Sequence, residues 1–472
     1  MATPTAAPPR VPPRVLAAIL LGTTLNPINS SMIAVALVRI GDDFDVSVVS
    51  LSWLVSSFYL VTAVGQSVLG RLADQLGPRR VQCAGFALIV VAGLLGPLAP
   101  SFGWLIAARL LLAAGTSAGF PTGLALLRNA SGGHAPPPST LAPITIAGSS
   151  SAALGPALGG ALVALAGWQA IFLVNAVVGV VALPLALRWL PRDPQHAGGL
   201  DLARVRRIVD VPGIVAFSAM LASVLALLLS LVGDPLWWLV PVAIAAGVAL
   251  VVNDRRREDP FLDVRMLAGN RALLSVCVQY LLVNVVAFGV YFSLPLWLEA
   301  ARGHSSGVAG VLVIPLAGVA VLATPVAARL VARSGERPAL LTGACAMVAG
   351  TLLLLTLSDT TSLAAYLPVA LVLGIPIGFN NLGLQSALYR TSDPARTGAA
   401  AGIFQTCRFV GAVLSTCLLG IVFADGVDTS GLHEMALILA GVSVVVLAAS
   451  VRASARRATG RPARSSRAAP RS

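Results

Sequence analysis

The chain reads as an all-α integral membrane protein with fourteen transmembrane helices. Apolar segments fall at 14–36, 50–70, 82–99, 103–127, 140–165, 170–188, 213–232, 236–252, 273–298, 307–331, 338–357, 363–388, 398–422 and 433–451. Each has about the twenty residues a helix needs to cross the ~30 Å hydrocarbon core of a bilayer. All 32 Lys+Arg positions are arginine, and 28 of them lie in the N-terminus, on the even-to-odd connections with their helix ends, or in the C-terminal tail. The odd-to-even connections hold Arg39 and Arg302, while Arg109 and Arg408 lie inside segments. By the positive-inside rule both termini are expected in the cytoplasm. Trp53, Trp104, Trp168, Trp237, Trp238 and Trp297 fall at the outer segment ends and Trp189 at an inner one, the pattern of an aromatic belt.

A mean hydropathy of +0.87, with 57% hydrophobic and 11% charged residues, excludes a soluble domain of this length. The net charge of +13 sits in short loops, where it acts as a topology signal; the bilayer, not nucleic acid, is the expected partner. The arginine-rich stretch from Arg452 to Arg471 reads as a solvated tail. The five cysteines lie within helices and imply no disulfide framework. The four histidines have no ligand spacing, so no metal and no cofactor is expected. Residues 1–13 are rich in Pro and Ala and do not form a cleavable signal peptide.

Taken in order, residues 1–13 are a tail and 14–190 a first group of six helices. Residues 191–270 are a linker carrying the seventh and eighth segments, joined by Gly233-Asp234-Pro235. Residues 271–452 hold six more helices, and 453–472 are a basic tail. The first segment contains the polar run Asn26-Pro27-Ile28-Asn29-Ser30-Ser31. The second-to-third connection reads Gly70-Arg71-Leu72-Ala73-Asp74-Gln75-Leu76-Gly77-Pro78-Arg79-Arg80. Its glycines permit a tight turn, and Asp74 is a lone acid among cations, suited to an ion pair or to a helix N-terminus. The fourth segment carries Arg109, followed by Ala113, Ala114 and Gly115. An arginine in hydrocarbon costs ~3 kcal/mol even on a lenient scale, so it either faces a polar cavity or snorkels to the interface. The fifth contains Gly155-Pro156-Ala157-Leu158-Gly159-Gly160, small residues that let helices approach and a proline that loosens the ladder. The third, fifth and fourteenth segments are almost wholly apolar or small and read as packing or lipid-facing. The first, second, ninth, twelfth and thirteenth carry the uncharged polar residues.

These motifs resemble the major facilitator superfamily, whose second-to-third loop follows G-x-L-a-D-r-x-G-r-r; here Gln75 and Pro78 replace two usual basic positions. The resemblance implies two six-helix bundles plus a two-helix linker hairpin, with a substrate path between bundles that opens alternately to either side. It implies a bundle latch at Gly70, Asp74, Gly77, Arg79 and Arg80 that holds the outward-facing state, with Asp74 engaging the start of the thirteenth helix near Thr397 and Gly398. The family's helix-four pattern R-x-x-x-G-x-G is met at Arg109 and Gly115, with Ala113 in place of the first glycine, and implies a part for Arg109 in proton transfer. Gly155, Pro156, Gly159 and Gly160 match the family's G-P-x-x-G-G antiporter motif, which is associated with exporters. Trp53, Tyr59, Trp168 to Asn175, Asp259 to Asp263, and Leu294 to Glu299 followed by Gly303, Gly310 and Pro315 are similar to the fourteen-helix drug:proton antiporter branch. The likeness covers about residues 14–450.

One departure bears on coupling. In the branch's first helix an acid stands where this chain has Asn29, and an amide cannot cycle a proton near neutral pH. No Asp or Glu lies deep in any predicted helix. Glu299, near the outer end of the ninth, is the candidate proton carrier, with solvated rim residue as its alternative. The expected substrate cavity takes Asn26, Asn29 and Ser30 from the first helix and Gln66 from the second. The ninth adds Gln279, Tyr280, Asn284 and Tyr291, the twelfth Asn380, Asn381 and Gln385, and the thirteenth Gln405 and Arg408. Cations and amides without a buried carboxylate point to neutral, zwitterionic or anionic amphiphiles. The expectation is therefore a monomeric, multi-pass exporter in a bacterial inner membrane, moving a small molecule against protons. A facilitator or importer on the same fold, or a non-transporting sensor, are the alternatives. Nothing supports an enzyme: there is no nucleotide loop, catalytic triad or metal spacing.

Overall fold

The computed structural model describes residues 12–130, 138–193, 210–231, 234–257, 264–392 and 397–458, and no strand occurs among them. The first six helices are α1 (Pro13–Phe44), α2 (Val48–Leu76), α3 (Pro78–Leu95), α4 (Phe102–Asn129), α5 (Pro138–Ala166) and α6 (Gln169–Trp189). The linker contributes α7 (Val211–Ser230) and α8 (Leu239–Arg256). A second group follows: α9 (Arg271–Ala300), α10 (Ser306–Ser334), α11 (Glu336–Thr356), α12 (Leu363–Thr391), α13 (Thr397–Val422) and α14 (Thr429–Ala458). A short helix, Val264–Gly269, precedes α9. Among the described residues, twelve helices are long and apolar enough to cross a bilayer, and α5 and α8 are outside that set. In α8 the reason is visible: Asn253, Asp254, Arg255 and Arg256 form its last turn and shorten the apolar run.

Polar caps set where the apolar runs begin. Ser47, Ser101, Ser305 and Ser362 each accept from a main-chain N–H three residues on, starting α2, α4, α10 and α12. The helix ends carrying Arg14, Arg128, Arg188, Arg271 and Arg390 define an arginine-rich end of the molecule; the other end is arginine-poor. In the linker hairpin, Asp210 accepts from Gly213 N at 3.0 Å and from Asn253 Nδ2 at 2.9 Å, and pairs with Arg257 at 3.3 Å. That cluster ties α7 to α8 at the arginine-rich end, while α7 leans on α13 and α2.

Two long seams join the six-helix groups. α5 packs along both α1 and α10, and α2 packs along α13. The fifth helix, expected to serve as packing or lipid surface, is thus the wedge between groups. Two of the tryptophans expected in the aromatic belt are core residues instead. Trp168 is buried, donates to Asp43 Oδ2 at 2.7 Å and packs on Phe44 and Phe172. Trp297 is buried and donates to Thr429 Oγ1 at 2.9 Å. Each indole N–H is satisfied inside the protein, which removes the reason to sit at the interface. Trp104, Trp237 and Trp238 are exposed.

Candidate functional site

The polar run of α1 gives this helix its irregular geometry. Pro27 lies inside it, the hydroxyls of Ser30 and Ser31 bond back to the Pro27 carbonyl at 2.8 and 3.1 Å, and residues Ile33–Ala36 tighten into a 3-10 turn. Asn26 donates to Thr62 and Thr116, tying α1 to α2 and α4. Asn29 is fully buried and exchanges two hydrogen bonds with Asn175 of α6, at 2.6 and 2.7 Å. Each amide also donates to the carbonyl four residues earlier in its own helix, Leu25 or Ile171. Asn29, read from sequence as a cavity residue, is therefore engaged as a clip between helices. A polar side chain in hydrocarbon satisfies itself wherever a partner is in reach.

Arg109 is 1% exposed and does not snorkel to an interface. Its Nη2 donates to the Asn29 carbonyl at 3.3 Å, and its guanidinium lies 4.6 Å from the centre of the Phe58 ring. Nε and Nη1 have no protein hydrogen-bond partner. The neighbouring Tyr59 donates to the Ser30 carbonyl and packs on Phe288, Phe292 and Phe409. An aromatic junction thus joins α2, α9 and α13 where the halves meet. Arg408 lies over the Phe409 ring, 5.9 Å from its centre.

The remaining cavity candidates divide. Gln279 is buried, donates to Ser275 and accepts from Ser450 of α14. Tyr280 stacks on Phe404, Asn284 bonds to the Tyr280 carbonyl, and Asn380 faces Met347 and Gly343. These serve packing within the second group. Gln66, Tyr291, Asn381, Gln405 and Arg408 are half-exposed, and Gln385 is exposed. They are the predicted residues with surface left for a ligand.

At the arginine-poor end the seams are closed. A Cβ built on Gly155 would meet the Ser31 side chain, one on Gly159 would lie 2.7 Å from the Met32 carbonyl oxygen, and one on Gly160 would lie 2.4 Å from that of Ser306. A Cβ on Gly310 would likewise lie 2.4 Å from the Pro156 carbonyl oxygen. The other seam is pinned by a hydrogen bond between Ser56 and Thr416. Glu299 sits beside this closure, 8% exposed. Ser306 donates to its Oε2 at 2.6 Å, and Oε1 has no protein hydrogen-bond partner. One residue, Ser306, therefore touches both the acid and Gly160.

Toward the arginine-rich end the same seams loosen. On α2, residues 64–72 are all half-exposed whereas most of 51–63 are buried. Gly148 of α5 and Gly402 of α13 border open space. Asp74 pairs with Arg128 of α4 at 2.7 Å, within its own group; Thr397 and Gly398, its expected partners, lie outside the residues whose side chains are described. Gly77 ends α2 with φ +99°, which a bare Cα adopts without strain, and Asp193 then accepts from the N–H groups of Arg79 and Arg80. The arrangement recurs in the second half, where Glu336 at the start of α11 pairs with Arg390 of α12. Sequence reasoning did not identify Arg128, Ser306 or the phenylalanines around Tyr59 as partners. Residues 393–396, ahead of α13, lie outside the described residues.

Helices long and apolar enough to cross a bilayer, packed along shared seams around buried polar and aromatic residues, make this a multi-pass membrane protein. The Major Facilitator Superfamily model matches residues 19–416. The MFS-type transporter YwoD of Bacillus subtilis (strain 168) is 34% identical over 90% of this chain and 93% of its own length. The multidrug efflux pump LfrA of Mycolicibacterium smegmatis is 28% identical, covering 89% of this chain and 82% of its own. Among solved structures, the nucleoside transporter NupG (D323A mutant) superposes with a TM-score of 0.66 at 14% identity, over 93% of this chain and 99% of that one. The chain belongs to the major facilitator superfamily and is a transporter, not an enzyme.

Proposed function

We propose that this protein exports small amphipathic compounds across a bacterial inner membrane by alternating access, in exchange for protons. In this reading all fourteen helices cross the membrane, the arginine-rich end with both termini is cytoplasmic, and the conformation described is open to the cytoplasm. The observation that carries the proposal is the α5 wedge. The G-P-x-x-G-G glycines that resemble an exporter motif are the atoms on which the outer seam closes. The similarity to a multidrug efflux pump supports the direction. Gln66, Tyr291, Asn381, Gln405 and Arg408 then face the substrate, and a cation with amides favours neutral, zwitterionic or anionic amphiphiles. Glu299 carries the proton: its exchange with the outer side would alter the Ser306 bond and so the seam at Gly160. Asn29 favours a second reading, an uncoupled facilitator, because an amide paired with Asn175 occupies the position where the branch places an acid.

The latch role of Asp74 belongs to the opposite conformation, since here it pairs with Arg128 and both side chains are about half exposed. An exposed pair of this kind contributes only ~0–1 kcal/mol. Asp74→Asn is accordingly expected to leave expression and melting temperature unchanged while cutting export at least tenfold. Retention of a panel of fluorescent amphiphiles by cells making the wild type, Asp74→Asn or no transporter tests both points. The wild type should lower retention and the variant restore it. Equal retention in wild-type and empty cells across the panel would contradict export, and wild-type behaviour of Asp74→Asn would contradict the latch.

A further inference from the structure

Outside the path between the halves, the structure holds a cleft of about 460 Å³ at the arginine-rich end, lined by Arg79, Pro184, Leu187, Arg188, Leu190 and Arg192. Among the described residues, half of its lining is arginine and none of it acidic. Arg79 is fixed in place: a guanidinium nitrogen donates to the Leu187 carbonyl, and its main-chain N–H donates to Asp193 at 3.0 Å. The second Asp193 oxygen is taken by the Arg80 N–H, also at 3.0 Å, so both oxygens of this neighbouring carboxylate are engaged by the main chain. The Arg79 Nε is buried and has no protein hydrogen-bond partner. The cleft lies where α3 and α6, which pack on each other, reach their arginine-rich ends. From there both helices present exposed apolar side chains toward the opposite end: Val177, Val181 and Leu187 on α6, and Leu88, Val91 and Leu94 on α3.

We propose that this cleft binds the phosphate headgroup of an anionic phospholipid, gripped by Arg79, Arg188 and Arg192, with the acyl chains lying along the exposed faces of α3 and α6. Guanidinium groups match phosphate oxygens in a planar, two-pronged geometry that a single ammonium cannot reproduce. Three of them at the level of the headgroups form the kind of basic interhelical pocket that selects anionic lipid. The apolar tracks decide the source of the phosphate, because a free anion gains nothing from them whereas a diacyl lipid buries its chains there. The site shares Arg79 with the expected bundle latch but involves neither Glu299 nor Arg408, and Arg188 and Arg192 belong to it alone.

The test uses the full-length protein in detergent, by native mass spectrometry with added phosphatidylglycerol, cardiolipin or phosphatidylcholine. The wild type should retain the anionic lipids and not phosphatidylcholine. The Arg188→Gln/Arg192→Gln variant, its fold checked by circular dichroism, should retain them at least tenfold less, and Arg188→Lys/Arg192→Lys should fall between. A photoactivatable phosphatidylglycerol should crosslink the wild-type peptide spanning residues 184–192, which keeps the test open if the double variant does not fold. Equal retention of phosphatidylcholine, unchanged retention by the glutamine variant, or no crosslink in that peptide would overturn the proposal. Full competition by millimolar inorganic phosphate would also overturn it, assigning the cleft to a free anion.

Discussion

Gly160→Leu is expected to arrest transport while the protein still inserts and each helical group still packs. The new Cβ would lie 2.4 Å from the Ser306 carbonyl oxygen, a main-chain atom that cannot rotate away. The seam between α5 and α10 must then part for the side chain to fit. Overpacking of this kind costs about 1–3 kcal/mol, and every ~1.4 kcal/mol is a tenfold change in equilibrium. At the upper end the closed arginine-poor state loses roughly 100-fold in population, and a cycle that must pass through it slows in proportion. Gly155→Ala is the informative contrast. Its Cβ meets chiefly the Ser31 hydroxyl, which can turn aside, so a much milder loss is expected. Transport in reconstituted vesicles, with labelling of a cysteine placed at the arginine-poor end, checks both parts. Gly160→Leu should lose transport and gain labelling; normal transport would show that the seam need not close this tightly.

Arg109→Met should separate stability from function at the other key position. The guanidinium is buried, has one 3.3 Å hydrogen bond and a ring contact with Phe58, and leaves Nε and Nη1 without protein partners. Replacing a buried charge by an apolar side chain of similar reach is commonly neutral or stabilising, by about 1–4 kcal/mol in favourable cases. The variant is expected to melt at or above the wild-type temperature, yet to transport at least ~100-fold more slowly if the charge serves the cycle. A protein that transports normally would make Arg109 a packing residue. One that melts far lower would show that its contacts with Asn29 and Phe58 support the fold.

The helical layout was legible because bilayer thickness and backbone hydrogen bonding leave a chain few choices. Segment lengths and arginine positions report that constraint directly, and most helix starts fall within a few residues of the apolar runs. What sequence could not resolve is which partner satisfies each polar group. Asn29 and Asn175 are 146 residues apart, and nothing local distinguishes an amide that meets another amide from one that meets a ligand. Trp168 and Trp297 show the same limit, since an indole at a helix end is indistinguishable from a belt residue until Asp43 and Thr429 are brought to it. Asp74 differs in kind. Its expected partner, at the start of α13, lies next to residues 393–396 outside the described ones, and the contact on view is the Arg128 pair within its own group. Glu299 stands out in the sequence because a carboxylate beside an apolar span is costly and therefore conspicuous. Its contact with the Gly160 seam runs through Ser306, which carries no signal of its own.

The most direct measurement is substrate-induced proton movement in everted membrane vesicles, comparing wild type with Glu299→Gln. Respiration acidifies the lumen, and an antiporter that carries a compound inward in this orientation must release protons outward. Wild-type vesicles should lose part of their proton gradient on adding a transported amphiphile, and Glu299→Gln vesicles, with the protein present at equal amounts, should not. Accumulation of the compound with no proton movement would contradict antiport and leave the facilitator reading that Asn29 favours. Proton movement undiminished in Glu299→Gln would return that residue to a structural part in the Ser306 seam.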